Sequence, residues 1–267
     1  MISQSKRRHV LDRCDIVDRG AGPVTALAHG AGGGVLENFA PLIEAAPHRR
    51  FVGPYYPGAG RTPSAPEPLS ADALADTVVA AALEAGAERF PIVGLSLGAA
   101  VAVTAAVRHP EHVAALVLTG GFARADAQTT AFTRVWRRLA DHGDHDALAE
   151  LLLHAVGSPQ TLASLSPEQH TAAVRRIRRD HPVGGAAHAE LVGRVDVRPL
   201  LASVEVPTLV VTGGQDRVVL PATTRRLASG IGGAESIEYP SAGHIFTDAE
   251  ARRWSADVTA FLDGVPL

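Results

Sequence analysis

The sequence predicts an α/β domain, a doubly wound and mostly parallel sheet that carries one all-helical insertion. Three observations predict it. Six short apolar runs recur along the 267 residues, each bounded by Gly or Pro. Helical patterns separate most of them, and one long stretch, residues 124–195, holds helical patterns and no strand. Runs of about four to eight Val-, Ile- and Leu-rich residues fit strands buried on both faces, and strands that alternate with helices argue a sheet covered on both sides.

Taken in order, the strand candidates are "PVTALAHG" (23–30), "RRFVGPYY" (49–56), "FPIVGLS" (90–96), "VAALVLTG" (113–120), "VPTLVVTGG" (206–214) and "ESIEYP" (235–240). The Pro-rich "RTPSAPEPLS" (61–70) reads as a surface loop between two elements. Ser70 can cap a helix whose apolar stripe is Leu74, Val78, Ala81, Ala82 and Ala85. A second helix runs from Ser96 to Arg108 and stops before Pro110. Inside the insertion, "TAFTRVWRRLADHG", "HDALAELLLHAV" and "SPEQHTAAVRRIRRD" are helical. The last has Ser166 as cap, Pro167 in the first turn and Gln169 at box spacing. Thr247 and Glu250 open the final helix, whose stripe is Trp254, Val258, Phe261 and Leu262. The expected division is a core of residues 1–123 and 196–267 with a helical cap, or lid, of 124–195.

Composition narrows the partners. Charged residues make up 20% and the formal net charge is −3, so no basic field draws nucleic acid. The basic run at Arg175 to Asp180 reads as a solvated helix face. A single cysteine, Cys14, allows neither an intramolecular disulfide nor a Cys-based zinc site. The basic start lacks an apolar region behind it, which argues against a secretory signal, and no apolar run approaches the ~18 residues of a membrane span. A soluble, cytoplasmic protein without nucleic-acid or membrane partners is the expectation, its oligomeric state left open.

The chemistry centres on "FPIVGLSLGAA" (90–100), where an apolar strand runs into a serine between glycines. Gly-x-Ser-x-Gly alone is weak evidence. Placed between strand and helix it gains meaning: Ser96 can project from a tight bend, while Gly94 and Gly98 remove the Cβ atoms that would clash. A hydroxyl needs a base to become nucleophilic. His244, in "SAGHIF" after the last strand, is the candidate. Asp216, in "LVVTGGQD" just past a buried strand, is placed to orient it, and Asp248 reads as a helix N-terminal residue. The Gly-rich "LAHGAGGGVLENF" (27–39) lets the backbone N–H of Ala31 pair with that of Leu97 as oxyanion donors. Phe122, Trp136, Phe246 and Tyr55 are the candidate substrate-binding residues.

These residues together resemble the α/β-hydrolase family over nearly the whole chain. His29-Gly30-Ala31, "PGAGRT" (57–62), "GLSLG" (94–98), "VPTLVVTGGQD" (206–216) and "SAGHIF" (241–246) occur in the family's order. The lactonase, esterase and cofactor-free perhydrolase branch is the most similar. The chain departs from it at "GPYYPGAG", which lacks the branch's usual Asp, and at Leu97, where many perhydrolase-like members carry Met. The resemblance implies a serine hydrolase with a Ser96–Asp216–His244 triad, acting on an ester or lactone with a hydrophobic acyl group, and no metal or organic cofactor. Alternatives on the same residues are an acyltransferase, a thioesterase, a C–C bond hydrolase or a perhydrolase. A non-catalytic ligand-binding module of the same fold is the alternative of another class, and occupancy of all three triad positions argues against it.

Overall fold

The computed structural model describes residues 11–266. The basic start of the chain, at residues 6–8, lies outside the described residues. Among those described, seven strands form one sheet: β1 (Ile16–Gly20), β2 (Val24–Ala28), β3 (Arg50–Pro54), β4 (Phe90–Leu95), β5 (Val113–Thr119), β6 (Thr208–Gly213) and β7 (Glu235–Tyr239). Their order is β1-β3-β2-β4-β5-β6-β7. β1 runs antiparallel to β3 and every other neighbour is parallel.

All six strands expected from apolar runs are present, and β1 is added. Its sequence, IVDRG, buries only Val17, because it is an edge strand with one neighbour, so it carries no apolar run to read. The central strands are buried along their length, apart from half-buried Leu95 at the end of β4, and successive residues feed opposite layers. On β4, Ile92 packs in one layer and Val93 in the other.

Helices α1 (Val35–Ala45) and α10 (Asp248–Asp263) pack together on one face of the sheet, and α2 (Ala71–Glu84) and α3 (Leu97–Arg108) pair on the other. Ser70 caps α2 by accepting from Ala73 N, and Thr247 and Glu250 close the expected capping box on α10. Ala85 and Phe261, expected in apolar stripes, are only half-buried. α1 carries Pro41 inside it and follows a glycine run, two breaker signals that hide a helix from sequence patterning.

Between β5 and β6 the chain forms five α-helices, α4 (Ala127–Asp141), α5 (His145–Val156), α6 (Pro159–Ser164), α7 (Pro167–Asp180) and α8 (Gly185–Arg194), and then a 3-10 turn, Arg198–Ser203. Three were expected. α6 carries the Ser158 cap and Pro159 that mark a helix start but is only six residues long, too short to show an apolar stripe, and α8 begins at Gly184–Gly185 with no side-chain cap. The excursion leaves and returns at one point. Arg124 and Asp196 form a single antiparallel bridge, and Val197 N donates to Ala123 O at 2.8 Å. α8 lies along α4, and α5 pairs with α7. A last helix, α9 (Pro221–Ser229), follows β6. Among the described residues no helix is long and apolar enough to cross a membrane.

Candidate active site

Parallel strands deliver their C-terminal ends to one edge of the sheet, and the loops that leave β2, β4, β5, β6 and β7 meet there. Ser96 follows β4 directly at φ 55° and ψ −114°, and it is the one non-glycine residue among those described with positive φ. Such a backbone costs about 1–3 kcal/mol and persists only where neighbours enforce it. They do so here. A Cβ at Gly98 would lie 1.8 Å from Ala28 O, and one at Gly94 would lie 2.3 Å from Gly98 O. Both glycines are therefore required by main-chain contact, and Ser96 N is tied to Thr119 O at 2.9 Å.

Asp216 and His244 come from the loops after β6 and β7. Asp216 Oδ1 accepts two backbone N–H groups, from Val218 at 2.8 Å and Val219 at 2.9 Å. Its other oxygen, Oδ2, accepts from His244 Nδ1 at 2.6 Å. Held this way the carboxylate fixes the imidazole tautomer, with the proton on Nδ1 and a lone pair on Nε2. Gly120, the residue after β5, packs against this pair: a Cβ there would lie 3.4 Å from His244 Nδ1 and 3.6 Å from Asp216 Oδ2. The last residue of β5, which anchors Ser96 N, therefore adjoins the residue beneath the imidazole. Ser96, Asp216 and His244 are 6%, 3% and 7% exposed, so all three are shielded from bulk water. Among the described residues the Ser96 hydroxyl makes no hydrogen bond. Asp248 is the first residue of α10 and exposed, the helix N-terminal position expected of it.

The glycine loop after β2 is pinned by side chains that flank Ala31. Gly30 N donates to Asn38 Oδ1 at 2.8 Å, and Gly32 N donates to His188 Nδ1 at 3.2 Å. Ala31 N, between them, and Leu97 N, at the start of α3, donate to no group among the described residues. His29 is fully buried. Its Nε2 accepts from Tyr56 N at 2.8 Å, so Nδ1 carries the proton and donates to Gly30 O at 2.8 Å. Burial first, and the neighbouring His188 second, push its pKa down to about 3, which keeps the ring neutral. The Tyr56 ring stacks on it at 3.8 Å.

His188 was not legible in the sequence, since its partners lie 156 and 131 residues away. It stands on α8, accepts from Gly32 N and donates from Nε2 to Pro57 O at 3.0 Å. Burial lowers its pKa to about 4. One neutral imidazole thus ties the helical insertion to two core loops.

The four candidate substrate-binding residues divide. Trp136, on α4, covers the glycine loop: a Cβ at Gly32 would lie 2.4 Å from the Trp136 ring. Phe122 is fully buried in the same layer as Trp136 and Leu97. Tyr55 and Phe246 pack in the opposite layer. The Tyr55 hydroxyl donates to Glu37 Oε2 at 3.2 Å, and Phe246 lies 5.2 Å from the Tyr239 ring and 6.4 Å from that of Trp254. Tyr55 also lies against the glycine loop, where a Cβ at Gly34 would stand 2.3 Å from its ring. A cavity of about 370 Å³ lies among the insertion's own helices, lined by Leu148, Leu152, Ile177 and His181, rather than directly over Ser96. The Trp136 ring bridges the two places, with Gly32 against one edge and His181 5.5 Å away. Its Nε1 is buried without a hydrogen-bond partner among the described residues.

The profile of the alpha/beta hydrolase fold matches residues 26–250. The chain belongs to the α/β-hydrolase fold family. Among its relatives, this α/β hydrolase is 32% identical over 230 residues to the pyrrolizixenacetamide deacetylase of Xenorhabdus hominickii, a match covering 85% of each chain. It is 30% identical to the 2-hydroxymuconate semialdehyde hydrolase of Pseudomonas sp. (strain CF600), over 94% of this chain and 90% of that one. The fold is shared with the enol-lactonase of Burkholderia xenovorans LB400, at TM-score 0.82 and 24% identity, over 94% and 96% of the two chains. Named relatives of this α/β hydrolase are hydrolases of several bond types.

Proposed function

We propose that the chain is a serine hydrolase that cleaves a carboxylic ester or lactone through an acyl-enzyme. One observation carries the reading: a buried Asp216–His244 pair at 2.6 Å, on loops that leave the same sheet edge as a serine held at positive φ. That arrangement has no packing purpose that smaller apolar residues would not serve better.

On this reading His244 Nε2 takes the Ser96 proton as the oxygen attacks the acyl carbon. Asp216 holds the ring and stabilises its charged form. The tetrahedral oxyanion accepts from Ala31 N and Leu97 N, two donors with no other acceptor among the described residues and beside the positive end of α3. His244 then returns the proton to the leaving alkoxide. Water then gives a proton to the same nitrogen as its oxygen attacks the acyl carbon; the bond from that carbon to Ser96 Oγ breaks, His244 returns the proton to Oγ, and the carboxylic acid leaves. No step needs a metal or organic cofactor. Residues 124–195 form a cap over the core of 1–123 and 196–267, with Trp136 as its floor above the oxyanion loop. The substrate is a small molecule with a hydrophobic acyl or lactone group. The enzyme works in the cytoplasm, where a thiol such as Cys14 stays reduced.

Product analysis with esters, lactones and amides, each in water and with a competing alcohol or amine, tests this. The expected result is the free carboxylic acid as main product, from ester or lactone faster than from amide. Transfer to the added nucleophile as main product would make the chain an acyltransferase. Exclusive cleavage of amides would reassign the substrate.

A further inference from the structure

Away from Ser96, α5 and α7 lie antiparallel. Arg178 Nη1 donates to Asp146 Oδ1 at 2.7 Å at one end of the pair. At the other end Glu150 and His154, four residues apart on one face of α5, meet His170 of α7. The Nε2 atoms of the two histidines lie 3.1 Å apart, and Glu150 Oε2 lies 3.2 Å from that of His170 and 3.6 Å from that of His154.

A single shared proton does not satisfy this triangle. If His154 donates to His170, the bare His170 nitrogen faces the carboxylate lone pairs. If His170 donates, the bare nitrogen of His154 faces them instead. If both rings are protonated there, two N–H groups point at each other. One cation at the centre satisfies all three edges. A triangle of sides 3.1, 3.2 and 3.6 Å has a circumradius of about 1.9 Å, so an ion at the ~2.0–2.1 Å of a zinc–ligand bond sits just above its plane.

We propose that Glu150, His154 and His170 form a binding site for a divalent first-row transition metal of the Zn²⁺ type. Two imidazoles and one carboxylate select such ions over Mg²⁺ or Ca²⁺, which prefer oxygen. The His154 and Glu150 side chains are 54% and 47% exposed, so the ion enters from solvent and keeps water on its remaining positions. Bound there, it staples α5 to α7. The staple bears on the candidate site. Arg217, next to Asp216, donates to His154 O and to Gly157 O, and Ile245, next to His244, donates from N to Val156 O at 3.0 Å. The helix that supplies two ligands therefore braces both loops, although metal binding itself does not depend on the hydrolase reading.

The test is calorimetric titration of the tag-free chain, stripped of metal, with Zn²⁺ in a non-chelating buffer. One equivalent should bind with micromolar affinity, and Mg²⁺ should give no saturable heat. His154→Ala and His170→Ala should each weaken Zn²⁺ binding at least tenfold, and Glu150→Gln by less. His142→Ala, an exposed histidine at the end of α4, should leave it unchanged. Titration with Co²⁺ gives a second readout, a visible absorption band that both histidine variants lose. Absence of saturable Zn²⁺ binding to the unaltered chain would overturn the proposal. So would equal affinity in all variants, whose folding circular dichroism checks independently.

Discussion

Asp216→Asn should abolish most of the activity for a reason fixed by two backbone groups. Asp216 Oδ1 accepts from Val218 N and Val219 N, so the substituted side chain must keep its carbonyl oxygen there. Its NH₂ then points at His244 Nδ1, where the carboxylate oxygen had stood at 2.6 Å. Two donors cannot face each other, so the imidazole must move its proton to Nε2. That nitrogen is the one that has to receive the serine proton. The base is thereby removed while the side chain keeps its shape. Loss of the correct tautomer lowers kcat about 10⁴-fold in the best-studied serine hydrolase triad, which is ~5.5 kcal/mol of transition-state stabilisation. The native contacts to Val218 and Val219 survive, so thermal stability should fall by ~2 kcal/mol or less. The assay is ester hydrolysis under saturating substrate, run beside a thermal melt, for Asp216→Asn and for Asp248→Asn. Asp248 is the exposed first residue of α10, and its substitution should cost less than twofold in rate. Less than tenfold loss for Asp216→Asn, or a larger loss for Asp248→Asn at unchanged stability, would refute the assignment of the acid.

Three further outcomes follow from the geometry. Trp136→Ala should shift the optimum in a series of acyl chain lengths, each buried methylene contributing up to ~0.8 kcal/mol to kcat/KM until the pocket is full; an equal loss on all substrates would make Trp136 purely structural. Gly98→Ala places a Cβ 1.8 Å from Ala28 O and should abolish soluble expression, whereas Gly232→Ala meets nothing within 4 Å and should melt like the unaltered chain. His188 stays neutral in the folded state down to about pH 4 but titrates near 6.5 when unfolded. The unfolded chain therefore binds more protons between those values, and stability falls as pH drops through that window, by ~3 kcal/mol for this one group. His188→Gln, which can still accept from Gly32 N and donate to Pro57 O, should show a shallower decline of Tm between pH 6.5 and 4. An unchanged decline would remove His188 from the acid response.

The parts of this fold that read directly from sequence are those decided by neighbours along the chain. Gly94, Ser96 and Gly98 are explained by contacts within one strand–turn–helix and by the strand beside it. Six strands are legible because both of their faces are covered, except for β7, which has one fully buried residue and was found from its place between turn signals. β1 has the same exposure, and although Gly20, Gly22 and Pro23 mark its end, no Gly or Pro marks its start. Asp216 and His244 were reachable because a parallel sheet brings the residues after each strand to one edge. What sequence could not show is contact between distant segments. His188 and Asn38 pin the glycine loop through partners that no local spacing encodes. Tyr55 and Phe246 pack in the layer opposite Trp136 and Phe122, a division that no local spacing encodes. The Glu150–His154–His170 triangle was hidden for the same reason, since α7 had to be folded against α5 before its third member appeared.

The central claim is that Ser96 is the nucleophile, and active-site labelling tests it most directly. The chain is incubated with a fluorophosphonate, residual esterase activity is followed, and the adduct is located by peptide mass mapping. The account predicts one covalent adduct per chain, on Ser96, appearing in step with loss of activity and absent from Ser96→Ala. An adduct on another residue, or full activity loss with Ser96 unmodified, would contradict it.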